Sequence, residues 1–423
     1  MTAGGALKRV SSLGTAVTKR AAAPMISQGI NALGSMLLQA AVAHALGLAA
    51  LGSFAVGLNL LTTATALYTG YVGDSIAVLD RHDRDTRATL VASALTLYGL
   101  AFVIAFGTIF ALLRSPGAAL VYAAMTVLWL MEETFRRILM ARLEFWRLVV
   151  NDSSYNVVTL VIVAVLILAD HHHVTLGRIF AGMAVGAATA VVVGLFQVPR
   201  TELAQLRPSW AAMRTVATFA AWRSLHAALR PASLLLSGTL VITLISLPAS
   251  GLLQAGRQVV GPLQVIINGA GSFLLSGFAA TEHGKAARDN RMARYSLWLL
   301  LATVGICGSV LALFAGPAGQ LLAGRAVSPL LVFGWTAYLA VWAVGLPYIS
   351  EVIARKQSRA VFMARLVDSV LGLALAGIAI KLGAGVTVVP WLMSLGGLYS
   401  VWRVVRLAIR TRSAPDPVPP LAA

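Results

Sequence analysis

The stretch ALGSFAVGLNLLTTATALYTGYVG at residues 50–73, with the turn DRHDRDTR at 80–87 shortly after it, sets the reading of the whole chain. The first piece carries no charge and is long enough to cross a bilayer core, which takes about 20 helical residues. The second piece concentrates Arg81, Arg84 and Arg87 at one end of it. Working outward, the same alternation of apolar run and short gap recurs along the chain. Twelve runs are visible, at 25–46, 50–73, 89–113, 117–135, 149–169, 176–198, 226–247, 250–278, 295–315, 327–350, 361–382 and 385–408. Most of the 33 Lys and Arg fall in the N-terminal tail, the even-numbered gaps, the C-terminal tail and the adjoining run ends. The odd-numbered gaps and their margins hold only Arg114, Arg178, Arg325 and Lys381, and Arg257 lies inside a run. The positive-inside rule then places both termini and the even gaps in the cytoplasm.

Composition agrees. Hydrophobic residues make up 58% of the 423-residue chain and charged residues 11%, against about 25% charged in soluble domains. A net charge of +18 would suggest nucleic acid in a soluble protein, but here the basic residues sit at helix ends, where they meet anionic membrane lipids. Nucleic acid is not an expected partner. The lone Cys307 lies within an apolar run, so neither a disulfide framework nor a thiol pair is expected.

The expected organisation is a single all-α polytopic membrane protein. Residues 1–24 form a cytoplasmic tail, in which LKRVSSLGTAVTKRA (7–21) spaces Leu7, Val10, Leu13 and Val17 as an interfacial amphipathic helix. A six-helix bundle at 25–198 is joined by a cytoplasmic linker at 199–225 to a second six-helix bundle at 226–408, and 409–423 is a disordered cytoplasmic tail. Ala41-Val42-Ala43 resembles a cleavage site, but Gln28, Asn31 and Gln39 interrupt the run before it, so the first helix is read as retained.

Sliding the chain by 199 residues lays the second span on the eighth: Leu48, Ala50, Gly52, Gly57 and Gly70 fall on Leu247, Ala249, Gly251, Gly256 and Gly269. This is the register of a six-plus-six duplication. Because six is even, the two halves share an orientation and are related by an axis along the membrane normal. Two bundles facing across a cleft is a transporter architecture.

Polar side chains within the runs are the candidates for lining that cleft. Gln28, Asn31, Ser35 and Gln39 recur on one face of the first span, and Asn59 lies on the second among Thr62, Thr63 and Thr69. The eighth span carries Gln254, Arg257, Gln258, Gln264 and Asn268, with Pro262 expected to bend it. Such groups also act as plain glue between helices. Arg257 has no acid within a helical turn, so it snorkels, pairs with another helix, or faces a wet cavity, where its planar fork suits phosphate. His226 and Arg230, one turn apart at the start of the seventh span, suit entry of an anionic group or contact with headgroups.

The remaining charges read as structural. Glu132 with Arg136 and Glu133 with Arg137 are i,i+4 pairs on a helix extension, Arg365 and Asp368 pair locally, and Asp74 and Asp152 pair with nearby arginines. The triplet His171-His172-His173 cannot direct three rings at one ion, so no metal or other cofactor is expected. Known enzyme signatures are not seen, and the chain is read as a transporter rather than an enzyme.

The stretch LGLAALGSFAVGLNLLTTATALYTGYVGDSIAVL (46–79) resembles the corresponding region of bacterial polysaccharide flippases of the multidrug/oligosaccharidyl-lipid/polysaccharide exporter superfamily. Leu46, Gly47, Gly52, Phe54 and Ala55 match its loose turn motif, and the span number and duplication match nearly the whole chain. The resemblance implies a MATE-like fold and movement of a polyprenyl-diphosphate-linked oligosaccharide to the outer face by alternating access. Surface or exopolysaccharide synthesis would then be the pathway, with a polysaccharide polymerase or glycosyltransferases as further partners. It also implies that cavity cations meet the diphosphate, with Arg257 the best match and Arg230 next. The first span lacks the basic residue some relatives carry. The alternatives are a cation-coupled multidrug exporter, for which Asp368 is the one acid well inside a run, and a non-transporting subunit of a polysaccharide-synthesis complex.

Overall fold

A computed structural model describes residues 3–78, 83–169, 173–199, 210–279, 286–355 and 357–413. Residues 80–82, His171, His172, much of the 199–225 connection and the tail from 414 lie outside them, as do the side chains of the proposed interfacial helix.

The described residues are almost entirely helical. In chain order the helices are α1 (Ala3–Tyr68), α2 (Asp74–Val78), α3 (Arg84–Leu113), α4 (Pro116–Ala141), α5 (Phe145–Ala169), α6 (Leu176–Gln197) and α7 (Trp210–Leu244). They continue with α8 (Leu247–Val259), α9 (Gly261–Ala279), α10 (Ala286–Leu313), α11 (Ala315–Ala323), α12 (Pro329–Ala354), α13 (Ser358–Lys381) and α14 (Val389–Ser413). Ten helical stretches among the described residues are long and apolar enough to cross a membrane.

The runs read from the sequence map onto these helices with two adjustments. The first run and the second as far as Tyr68 lie within α1, the second ending in a π-helical turn at Thr69–Gly73; α1 breaks at Gly47, whose φ of 79° and ψ of 179° leave the helical region. A Cβ would be strained there, so glycine is what lets one helix end and the next begin without a loop. The eighth run is split into α8 and α9 at Val260. Pro262 supplies no N–H to the ladder, and the Leu263 N–H turns to the Val260 carbonyl at 3.1 Å.

Several starts follow local chemistry. Ser115, Thr175 and Ser246 accept from the backbone N–H groups of Ala118, Arg178 and Ala249, and Pro116 and Pro248 occupy first-turn positions where no N–H is needed. Asp83 caps α3 by accepting from the Thr86 N–H at 2.8 Å, and the Thr86 side chain together with that N–H holds its carboxyl below the ordinary carboxylate range.

The chain forms two compact units, one of Met1–Ala45 with Ala64–Ser224, the other of Leu46–Thr63 with Leu225–Ala423. In the first unit α4 packs on both α3 and α6, and α5 packs on α6. In the second, α12 packs on both α10 and α14, and α13 packs on α14. These are the same pairings six spans apart, as the duplication predicts.

The division runs through the second span. Residues 46–63 belong with the second unit, where the segment around Gly52 lies against α8. The basic connection is helical from Trp210, and its end is tied into the first unit: Arg223 pairs with Asp74 at 2.5 Å and Ser224 donates to the Leu67 carbonyl at 2.7 Å.

Candidate functional site

The second unit gathers three arginines inside its helices. On α12, Tyr338 and Trp342 lie one turn apart and so share a face. The Arg230 guanidinium, on α7 just before Pro231, sits 4.4 Å from the Trp342 ring centre and 5.8 Å from that of Tyr338. Arg365, on α13, stacks on the same indole at 3.8 Å. Each desolvated cation–π contact of this kind is worth up to about 2 kcal/mol. Trp335, one turn further along α12, packs edge-on against Tyr338 and donates to the Leu253 carbonyl at 3.1 Å, which ties this wall to α8.

A cavity of about 30 Å³ opens among Arg230, Tyr338, Trp342, Arg365, Asp368 and Ser400. That is enough for about one water. Asp368 accepts hydrogen bonds from Ser369 and Ser400, and no ion pair joins it to Arg365 among the described residues. The two remain near enough to attract each other, as the local pairing read from the sequence expects, while the planar guanidinium itself stacks on the indole face.

Arg257 is on α8 and donates to the Asn59 side-chain oxygen at 2.9 Å. Gln254, Ser237 and Ser250 join them around a space of about 10 Å³. Arg257 therefore pairs with an amide rather than an acid. Gln258 is buried with both amide atoms unpartnered. Past the break at Val260, Gln264 is half-buried and Asn268 exposed, so the eighth-span stripe divides between α8 and α9. His226 is half-buried one turn before Arg230.

The first-span residues belong to the first unit. Asn31 accepts from Asn156 at 2.7 Å, Gln39 is buried and donates back to Ser35, and Gln28 is exposed. Beside them, Ser27 donates to Asp152, Asp152 pairs with Arg136 at 2.7 Å, and Arg136 pairs with Glu133 at 2.5 Å. Arg137 pairs with Glu133 at 2.7 Å, and Thr69 donates to the same carboxylate at 3.1 Å. The i,i+4 pairs expected on a solvated extension are thus present but buried: Glu132 is 1% exposed and Glu133 0%. The reason is Arg136, which reaches across from α4 to Asp152 on α5 and draws its partners inside.

Among the described residues, the buried clusters of the two units differ in charge balance. Arg230, Arg257, Arg365 and one carboxylate, Asp368, line the two small cavities of the second, while three carboxylates share two guanidiniums in the network of the first. Tyr338 and Trp342 were not singled out from the sequence, and Arg365 was read there only as a structural partner of Asp368. The i,i+4 aromatic pair and a second arginine in an apolar run were the signals available.

No protein-family model matches the chain, and no curated protein matches it in sequence. Solved structures do. An inward-facing multidrug resistance MATE family transporter of the MOP superfamily aligns with a TM-score of 0.72 at 12% identity, over 91% of this chain and 96% of that one. An outward-facing structure of such a transporter aligns with a TM-score of 0.67 at 14% identity, over 94% and 95%. A MOP superfamily transporter from Pyrococcus furiosus, described as having a binding pocket of reverse polarity, aligns with a TM-score of 0.66 at 12% identity, over 94% and 96%. The chain has the all-helical, multi-pass fold of the MATE-type transporters.

Proposed function

We propose that this protein carries an anionic, lipid-linked saccharide across the inner membrane by alternating access, with both tails in the cytoplasm. The observation that carries this reading is the excess of cationic side chains within the helices of the second unit. Among the described residues, Arg230, Arg257 and Arg365 line its two small cavities, and Asp368 is the carboxylate that lines them with these cations. Leaving guanidiniums in membrane-spanning helices is costly, on the order of 2.5–3.5 kcal/mol at a helix centre, and an anionic substrate would offset that cost. Phosphate accepts the paired N–H bonds that arginine offers, while Asn59, Gln254 and Tyr338 suit sugar hydroxyls. A polyprenyl-diphosphate-linked oligosaccharide supplies both chemistries. Surface polysaccharide synthesis is the pathway such a substrate serves.

In a deletion strain, Arg257→Ala is expected to abolish surface polysaccharide at normal protein level, with Arg257→Lys partly active. Full complementation by the alanine variant would remove the residue from the mechanism.

A second reading is a cation-coupled multidrug exporter. It is favoured by the acidic excess in the first unit, where Glu132, Glu133 and Asp152 share Arg136 and Arg137. Altered drug resistance in the deletion strain with unchanged polysaccharide would support it over the first.

A further inference from the structure

The largest cavity described in the first unit is not part of either polar cluster. It lies beside α3 and α4, has a volume of about 240 Å³, and is walled mainly by Val72, Leu90, Ala94, Leu95, Met131 and Phe135. Two hydroxyls, those of Tyr98 and Thr134, also reach its wall, but they hydrogen-bond each other and Tyr68. Their donors are thus engaged with one another. A water needs two to four polar partners to enter such a space, whereas an apolar cavity of this size takes up hydrocarbon.

One lining residue is charged. Arg87 stands on the first turn of α3, at the end the positive-inside rule assigns to the cytoplasm, and Tyr98 lies about 16 Å further along the same helix. The outer side of α3 is apolar and uncovered: Leu95, Leu100 and Val103 are all exposed, as for a helix that faces lipid. A chain entering beside Leu95 therefore comes from the bilayer, with its head at the level of a guanidinium.

We infer that this cavity is a binding site for one acyl chain of an anionic phospholipid of the cytoplasmic leaflet, whose phosphate rests on Arg87. A zwitterionic lipid offers the same chain but a compensated head, so the charge at Arg87 selects the anionic one. The site is independent of the substrate assigned to the second unit.

The test uses the purified full chain, incubated with phosphatidylglycerol and phosphatidylcholine in equal amounts, with the retained lipid read by native mass spectrometry. Wild type is expected to retain one phosphatidylglycerol. Arg87→Gln is expected to lower its preference for phosphatidylglycerol about fivefold. Ala94→Trp, which fills the cavity, is expected to abolish retention, and should that variant fail to fold, Leu95→Gln at the exposed wall is expected to weaken it.

Equal retention of the two lipids by wild type would overturn the inference, as would unchanged retention by the folded wall variant. A third arm adds a polyprenyl phosphate in equal amount. If it displaces the phospholipid, the cavity belongs to a carrier lipid and the assignment fails; if it does not, the assignment stands. Loss of polysaccharide transport leaves these readouts unchanged.

Discussion

The carbonyl of Leu247 occupies the place where a Cβ of Gly52 would stand, and the carbonyl of Leu48 occupies the same place beside Gly251. Adding 199 converts Leu48 to Leu247 and Gly52 to Gly251, so each contact is the other with its two partners exchanged. The repeat detected as a handful of identities is therefore a physical two-fold crossing of the second-span helix and α8. Just beyond it Arg257 donates to Asn59. Asn59 is the counterpart of Gln258 under the same shift, so polar side chains were kept at equivalent places while their chemistry diverged.

This crossing has no room for a side chain. Gly52→Ala and Gly251→Ala are each expected to destabilise the purified protein by about 1–3 kcal/mol, the usual cost of overpacking. Gly99→Ala, where nothing lies within 4 Å of the added methyl, is the control. Thermal unfolding in detergent checks this, and a melting temperature for Gly52→Ala equal to that of the control would contradict the crossing.

The Asn59 amide is the one hydrogen-bond partner of the Arg257 side chain among the described residues. Removing it leaves a charged donor unsatisfied, at a cost of about 1–3 kcal/mol. A double-mutant cycle with Asn59→Ala and Arg257→Ala, read by chemical or thermal unfolding, is expected to return a coupling energy of about 1 kcal/mol or more. Strict additivity would mean that the two do not interact.

In the first unit the two ends of the ionic network are expected to respond oppositely. Arg136→Ala strands Asp152 and Glu132 in a buried setting, while Glu133 keeps Arg137, and is expected to cost about 3–5 kcal/mol. Glu132→Gln removes the surplus carboxylate, one of whose oxygens has no partner, and is expected to be neutral or stabilising. Comparable losses in both variants would contradict this account of the charge balance.

The cap at Asp83 gives a pH dependence whose sign follows from its lowered carboxyl. A carboxylate stabilised in the fold adds stability above its unfolded value and loses it as pH falls through its folded one. The protection of amides at the start of α3, measured relative to their intrinsic exchange, is therefore expected to fall as pH drops below the ordinary carboxylate range in wild type. In Asp83→Ala it is expected to be low throughout. A first turn equally protected in both would exclude the cap.

Much of the fold was legible because hydrocarbon permits few solutions. Long apolar runs, serine and proline at helix starts, and lysine and arginine in alternate gaps each report a local constraint. Gly47 and Pro262 marked the two breaks for the same reason. What could not be read was which helix each polar face meets. Arg257 finds its partner 198 residues away. Glu132 and Glu133 looked like solvated pairs because nothing near them in sequence announces Asp152 and Ser27. The stacking of Arg230 and Arg365 on one indole likewise joins three helices whose adjacency is a tertiary fact.

Reconstitution offers the most direct test of anionic saccharide transport through the second unit. A fluorescent polyprenyl-diphosphate oligosaccharide in proteoliposomes would be followed by its accessibility to an external quencher or enzyme. The purified protein is expected to move it between leaflets, and combined neutralisation of Arg230, Arg257 and Arg365 to stop that movement in a protein that still melts cooperatively. Undiminished movement in the neutralised protein, or none in wild type while a cationic drug is carried, would contradict the account.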